Sequence, residues 1–177
     1  MTSIAITGHT SGIGKACADM FSGCEIFGYS RSNGWNIELP DAIVQDAVAN
    51  KCTVFINNAY NAMYQSVLLE KLYVHWKDTE NTIINIGSYI TDYPRLEKEL
   101  DDKPWNYRDD KKHLLKTFRR IVQEETSCMI HMISPGPVNT PMIAHLPIKD
   151  KLHTEQVARI VKHTIDNPYL KEVIAYV

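Results

Sequence analysis

A parallel β-sheet doubly wound by α-helices is the fold class this sequence predicts, and two observations predict it. Short runs of β-branched and apolar residues alternate with longer segments of helical period along the chain, as expected of strands buried on both faces and joined by helical crossovers. Directly after the first such run stands a glycine-rich turn, Gly8-His9-Thr10-Ser11-Gly12-Ile13-Gly14, followed by a helical segment. The length of 177 residues, at about 100–200 per domain, allows one domain spanning 1–177 and no comfortable second.

Ser3-Ile4-Ala5-Ile6 reads as the first strand and residues 15–21 as the helix after the turn. Cys24-Glu25-Ile26-Phe27-Gly28-Tyr29 is the second strand. The short connection through Trp35-Asn36-Ile37 reads as a vestigial third, because no helix fits between it and strand two. Pro40-Asp41 opens a helix over 41–49, since proline suits a first helical position. Thr53-Val54-Phe55-Ile56, Thr82-Ile83-Ile84-Asn85-Ile86 and Cys128-Met129-Ile130-His131-Met132-Ile133 are further strands, with helices over 62–76 and 105–125 between them. A polar stretch at 92–104 interrupts this alternation. Thr154 caps a last helix over 154–166, and Val173-Ile174-Ala175-Tyr176-Val177 closes the sheet.

Composition excludes several function classes. Hydrophobic residues at 44% and charged ones at 23% suit a chain that buries a core, which excludes disorder and fibrous repeats. A net charge of −2 argues against a nucleic-acid or anionic-membrane surface, and Lys111-Lys112 and Arg119-Arg120 read as helix-face charges. No apolar run approaches the roughly 18 residues of a membrane span, and Met1-Thr2-Ser3-Ile4 lacks the layout of a signal peptide, so a cytoplasmic protein is expected. Cys17, Cys24, Cys52 and Cys128 form no C-x-x-C pair and read as reduced packing thiols, and the histidines show no metal-binding spacing.

The turn after strand one sits where a dinucleotide fingerprint requires it. Gly8 allows the tight turn, Gly12 lets the backbone approach a pyrophosphate, and Gly14 permits close helix packing, while the helix N-terminus offers free N–H donors. The spacing T-G-x-x-x-G-x-G, from Thr7 to Gly14, resembles the short-chain dehydrogenase/reductase family rather than the commoner G-x-G-x-x-G. Asn57-Asn58-Ala59-Tyr60 is similar to that family's N-N-A-G, with Tyr60 in place of glycine. Ser88 after strand five, Tyr107 and Lys111 four apart on one helix face, and Pro135-Gly136-Pro137-Val138-Asn139-Thr140 after strand six complete the resemblance in order. Tyr73 and Lys77 share the Y-x-x-x-K spacing, but they precede Ser88, so Tyr73 is read as structural.

The resemblance implies a Rossmann-type single domain and a hydride-transferring oxidoreductase that interconverts a carbonyl and an alcohol. Ser88 is then expected to polarise the substrate oxygen, Tyr107 to act as general acid or base, and Lys111 to tune Tyr107 and bind the cofactor ribose. Asn61 takes the place of the family's relay asparagine, although a looser alignment would put Asn57 or Asn58 there. The expected cofactor contacts are Thr7, Gly8, Thr10, Ser11, Gly12, Ile13 and Gly14 at the turn, Asn58 and Ala59, and Tyr107 and Lys111. Pro135, Gly136, Val138 and Thr140 are expected around the nicotinamide carboxamide.

At the end of strand two stand Ser30-Arg31-Ser32 and no acidic residue, so NADP(H) is expected in preference to NAD(H). Asn36 and Ile37 are expected beside the adenine. Residues 95–103 read as an inserted surface flap, and 142–151 as a short substrate lid. A homodimer or homotetramer is expected by the same resemblance. The competing reading is a non-catalytic NADP(H) sensor of the same fold; a sugar-nucleotide epimerase is disfavoured because no substrate domain is present.

Overall fold

The computed structural model describes residues 2–91 and 107–177. Six strands, β1 (Ser3–Thr7), β2 (Glu25–Tyr29), β3 (Val54–Asn57), β4 (Thr82–Ile86), β5 (Met129–Pro135) and β6 (Glu172–Ala175), form one parallel sheet in the order β2-β1-β3-β4-β5-β6. Among the described residues five helices connect them: α1 (Gly12–Met20), α2 (Pro40–Ala49), α3 (Tyr64–Trp76), α4 (Tyr107–Ile121) and α5 (Thr154–Asp166). The expected start of α4 at 105 and the expected flap at 95–103 lie outside the described residues.

Both faces of the sheet are covered, which explains why the strands read as nearly continuous apolar runs. Ile4, Ile6, Val54, Ile56, Ile84, Ile86 and Ile133 pack on one face with Ala16 and Cys17 of α1 and Ala158 and Val161 of α5. Their strand neighbours Ala5, Phe55, Ile83, Ile130 and Met132 face the other way, onto α2, α3 and α4. The apolar stripe Leu114, Leu115, Phe118 and Ile121 belongs to this second core, as its spacing suggests.

The expected vestigial strand at Trp35–Ile37 does not form. A parallel neighbour needs a crossover of a dozen or more residues, and β2 is followed only by a short 3-10 turn, Arg31–Asn33, and by Gly34 at a φ of +88°. Trp35 instead sets its ring edge-on against Tyr29 at 5.0 Å, and Ile37 buries itself in the core. β2 is therefore the sheet's edge.

The chain runs from β1 outward to β2 and then crosses to β3 on the far side of β1. This reversal opens a crevice at the carboxyl ends of β1 and β3, the place where open α/β sheets bind ligands. Thr7 ties its two sides together. The Thr7 Oγ1 accepts the backbone N–H groups of Asn58 and Ala59, both at 2.9 Å, and the Asn58 amide donates to the Thr7 carbonyl at 3.0 Å. Replacing Thr7 with valine keeps the shape and strands both N–H groups, so Thr7→Val should lower unfolding free energy by about 1–3 kcal/mol. Urea denaturation followed by circular dichroism measures this, and an unchanged midpoint would contradict the role given to the hydroxyl.

Candidate active site

The glycine turn and α1 line one side of the crevice. Helix α1 begins within the turn, at Gly12, and Ser11 makes no side-chain cap bond, so the first-turn N–H groups gain no partner from it. Gly12 adopts a φ of +54° and leaves only 3.3 Å between an ideal Cβ and the Thr140 methyl. At Gly14 a side chain would run into the Gly8 carbonyl oxygen. The backbone here is bare because the packing admits nothing else.

Opposite the turn, β5 runs into Pro135, and the Gly136 N–H bonds to the Ala175 carbonyl at 2.6 Å. Val138 is buried against Leu152 and Val157, and two backbone bonds of 2.8 Å hold Pro137 and Asn139 to Leu152. Lys151 donates to the carbonyls of Ile143 and Leu146 at 3.2 and 3.1 Å, folding the short lid segment back on itself.

Between these walls lie the catalytic candidates. Gly87 follows β4 and donates to the Ile133 carbonyl at 2.7 Å, which places Ser88 beside the end of β5. Tyr107 opens α4, with its phenol near the Ser88 side chain. Burial raises the proton affinity of Tyr107, and the nearby Ser88 hydroxyl works against that rise. One turn later, Lys111 is only 3% exposed. Its amine lies 5.6 Å from the ring centroids of both Tyr107 and Tyr60.

Burial also explains the state of that amine. Loss of solvent brings it from 10.5 down to about 7, with Asp110 pulling weakly the other way. Lys111 meets the cost of burial by donating to Gln65 Oε1 at 2.7 Å and to the Ile86 carbonyl at 2.8 Å. Tyr60, the residue that departs from the glycine pattern, packs edge-to-face on Tyr107 with centroids 4.7 Å apart. Its hydroxyl donates to Asp110 at 2.8 Å, and burial together with that carboxylate holds its proton on.

The structure thus brings Ser88, Tyr107 and Lys111 together. It sets Asn61 elsewhere: the Asn61 amide donates to Glu38 at 2.6 Å, and the amide beside Lys111 is that of Gln65. Tyr73 is buried and donates to Glu124, in keeping with a structural residue. Ser30 and Asn33 cap the turn after β2, and Arg31 is exposed within it. Asn36 caps the segment before α2 by accepting the Glu38 N–H at 3.1 Å, while the Ile37 side chain belongs to the core. Gln65 was not singled out by the sequence pattern, yet a signal was there. It falls in register with Leu68, Leu69 and Leu72, a polar residue at a core-facing helical position.

Solved structures share this arrangement of strands and helices. The 3-alpha-hydroxysteroid dehydrogenase from Pseudomonas sp. B-0831, complexed with NADH, superposes with a TM-score of 0.80 at 15% identity, over 98% of this chain and 94% of that one. A short chain dehydrogenase from Burkholderia cenocepacia J2315 in complex with NADP also gives 0.80, at 16% identity over 98% and 87%. The chain has the short-chain dehydrogenase fold. A 3-ketoacyl-(acyl-carrier-protein) reductase from Brucella melitensis, complexed with NADH, gives 0.74 at 17% identity over 98% and 96%. No protein-family model and no curated protein matches the sequence. Among the described residues no helix is long and apolar enough to cross a membrane.

The buried amine makes a stability prediction. Its folded value of about 7 lies below its ordinary 10.5, so its contribution is complete above 10.5 and is lost as the pH falls towards 7. Denaturant titrations between about pH 7 and 9 should show the wild-type protein gaining stability with pH and Lys111→Met losing most of that gain. Equal slopes for the two proteins would contradict the placement of the amine.

Proposed function

We propose that this chain is a short-chain dehydrogenase/reductase, an NADP(H)-dependent oxidoreductase that interconverts a carbonyl and an alcohol. The observation that carries the reading is the Tyr107 phenol, set near Ser88 and flanked by the Lys111 amine, 5.6 Å from its ring centroid, at the sheet's carboxyl edge. The cofactor-bound chains of the same fold support it.

The residues present fit a dinucleotide. The turn in which a Gly14 side chain would collide with the Gly8 carbonyl leaves backbone open to a pyrophosphate, and the start of α1 adds N–H donors. Arg31, exposed just beyond β2 with Ser30 and Ser32 on either side, suits a 2′-phosphate through its planar fork. Thr140, against Gly12, stands where a carboxamide would be held between the two loops.

A bound nicotinamide supplies or accepts the hydride, and the chain's own residues manage the proton and the oxygen. Ser88 donates a hydrogen bond to the substrate oxygen and holds it within reach of the Tyr107 phenol. Tyr107 gives its proton to that oxygen as a carbonyl is reduced and takes it back as an alcohol is oxidised. A phenol held protonated by burial is suited to the reductive direction. When protonated, Lys111 favours the phenolate and so lowers the cost of proton release. By resemblance to that family the proposed assembly is a homodimer or homotetramer, and the proposed location, read from the sequence alone, is the cytoplasm.

One observation favours the second reading, a sensor that binds NADP(H) without turnover. The Tyr60 ring covers Lys111, and both hydrogen bonds of its amine go to the protein's own oxygens. Turnover separates the two. NADPH oxidation across a panel of aldehydes and ketones should fall by about 100-fold or more in Tyr107→Phe, with NADPH binding retained. A wild-type protein that binds NADPH and reduces no carbonyl would favour the sensor. Arg31→Glu should shift relative affinity from NADPH towards NADH by about 10- to 100-fold, and an unchanged ratio would remove Arg31 from the cofactor site.

A further inference from the structure

Gln65 has no part in the proton transfer described above, yet it is the side chain that holds the amine of Lys111. It is 2% exposed at the start of α3, and all its side-chain polar groups are engaged. Its Nε2 donates to the Asn57 carbonyl at 2.7 Å and to the Ile86 carbonyl at 2.9 Å. Its Oε1 accepts from Lys111 at 2.7 Å. Flipping the amide would turn an NH2 group towards the amine and an oxygen towards two carbonyls, so one orientation alone satisfies every partner. The Gln65 backbone is fixed as well, because its carbonyl accepts the Asn57 side-chain amide at 2.8 Å.

The result is a bracket clamped to the ends of β3 and β4, with α4 attached through Lys111. We propose that Gln65 is the positioning residue of this active site: its locked amide fixes where the Lys111 amine stands beside Tyr107 and biases the proton held there. This role rests on the oxidoreductase reading and adds to it a residue outside the Ser88, Tyr107 and Lys111 set. Among the described residues, few groups face the amine from neighbouring elements. Tyr60 comes from the loop after β3, Tyr107 and Asp110 from α4, and Gln65 itself from α3. Among these, Gln65 provides the direct side-chain acceptor.

Removing that acceptor while keeping side-chain length makes the charged amine harder to hold, and replacing it with a carboxylate makes it easier. Lys111 would be followed in the cofactor-free protein by NMR of isotope-labelled lysine amines across pH, in Gln65→Met and Gln65→Glu. The titration midpoint should move down by about one unit in Gln65→Met and up by about one unit in Gln65→Glu. The matching limb of the kcat–pH profile for carbonyl reduction should move in the same directions, with KM for NADPH changed far less. A merely structural Gln65 would lower Tm and leave both midpoints in place. Wild-type midpoints in either folded variant overturn the proposal, as does a moved NMR midpoint with an unmoved kcat limb. A wild-type protein that reduces no carbonyl overturns the functional reading and this role with it. That outcome is distinct from a failed coupling, in which the wild-type enzyme turns over and the midpoints coincide.

Discussion

A primary amine buried at the end of a parallel sheet must be given acceptors, and much of this protein's polar architecture follows from that need. The carbonyls inside the sheet are taken by strand pairing, so the oxygens left for Lys111 are those where β4 ends and where a side chain can be brought in. Ile86 supplies the first and Gln65 the second. Gln65 in turn needs acceptors for its own NH2 group, which come from Asn57 and Ile86. Asn57 donates onward to Asn85, and Asn85 to the carbonyl of His131. A chain of amides thus runs across β3, β4 and β5, each member donating to the next. The rings of Tyr60 and Tyr107 close over the amine and keep water from competing for it.

The same edge of the sheet meets a second demand, for open backbone. At the switch point between β1 and β3 the Thr7 hydroxyl holds the two strand ends together, and the glycine turn crosses above them without side chains. Thr140 packs on Gly12, so the loop after β5 is positioned by the turn after β1. A dinucleotide lying across the turn and a substrate oxygen beside Ser88 would therefore share one rigid frame, anchored by β1, β3, β4 and β5. The two demands meet at Tyr60, which stands after β3 and bonds to α4 through Asp110.

The alternation of strands and helices was legible in the sequence because both faces of the sheet are buried, so Ile4 to Ile6 or Val54 to Ile56 read as uninterrupted apolar runs. That Ser88, Tyr107 and Lys111 would come together was expected from the order they share with the family they resemble, since the Y-x-x-x-K spacing alone also fits Tyr73 and Lys77. Trp35 and Ile37 misled: their composition suits a strand, but their side chains serve the edge of the core, and the connection is too short for a parallel crossover. Gln65 was passed over because a lone amide in an apolar helix gives no hint of its partner. That partner lies across the fold, on α4, and only tertiary contact makes the residue's value visible. Asn61 was chosen by counting positions, and counting does not register that its amide turns towards Glu38.

On the proposed function, the carboxyl edge of this sheet would hold a nicotinamide dinucleotide beside Tyr107. Calorimetric titration of the purified wild-type protein with NADPH and with NADH tests it most directly. Saturable binding of one NADPH per chain is expected, with NADH weaker. No heat and no saturation with either nucleotide would contradict it, and would leave the buried Lys111 and its amide bracket as structural features of the fold alone.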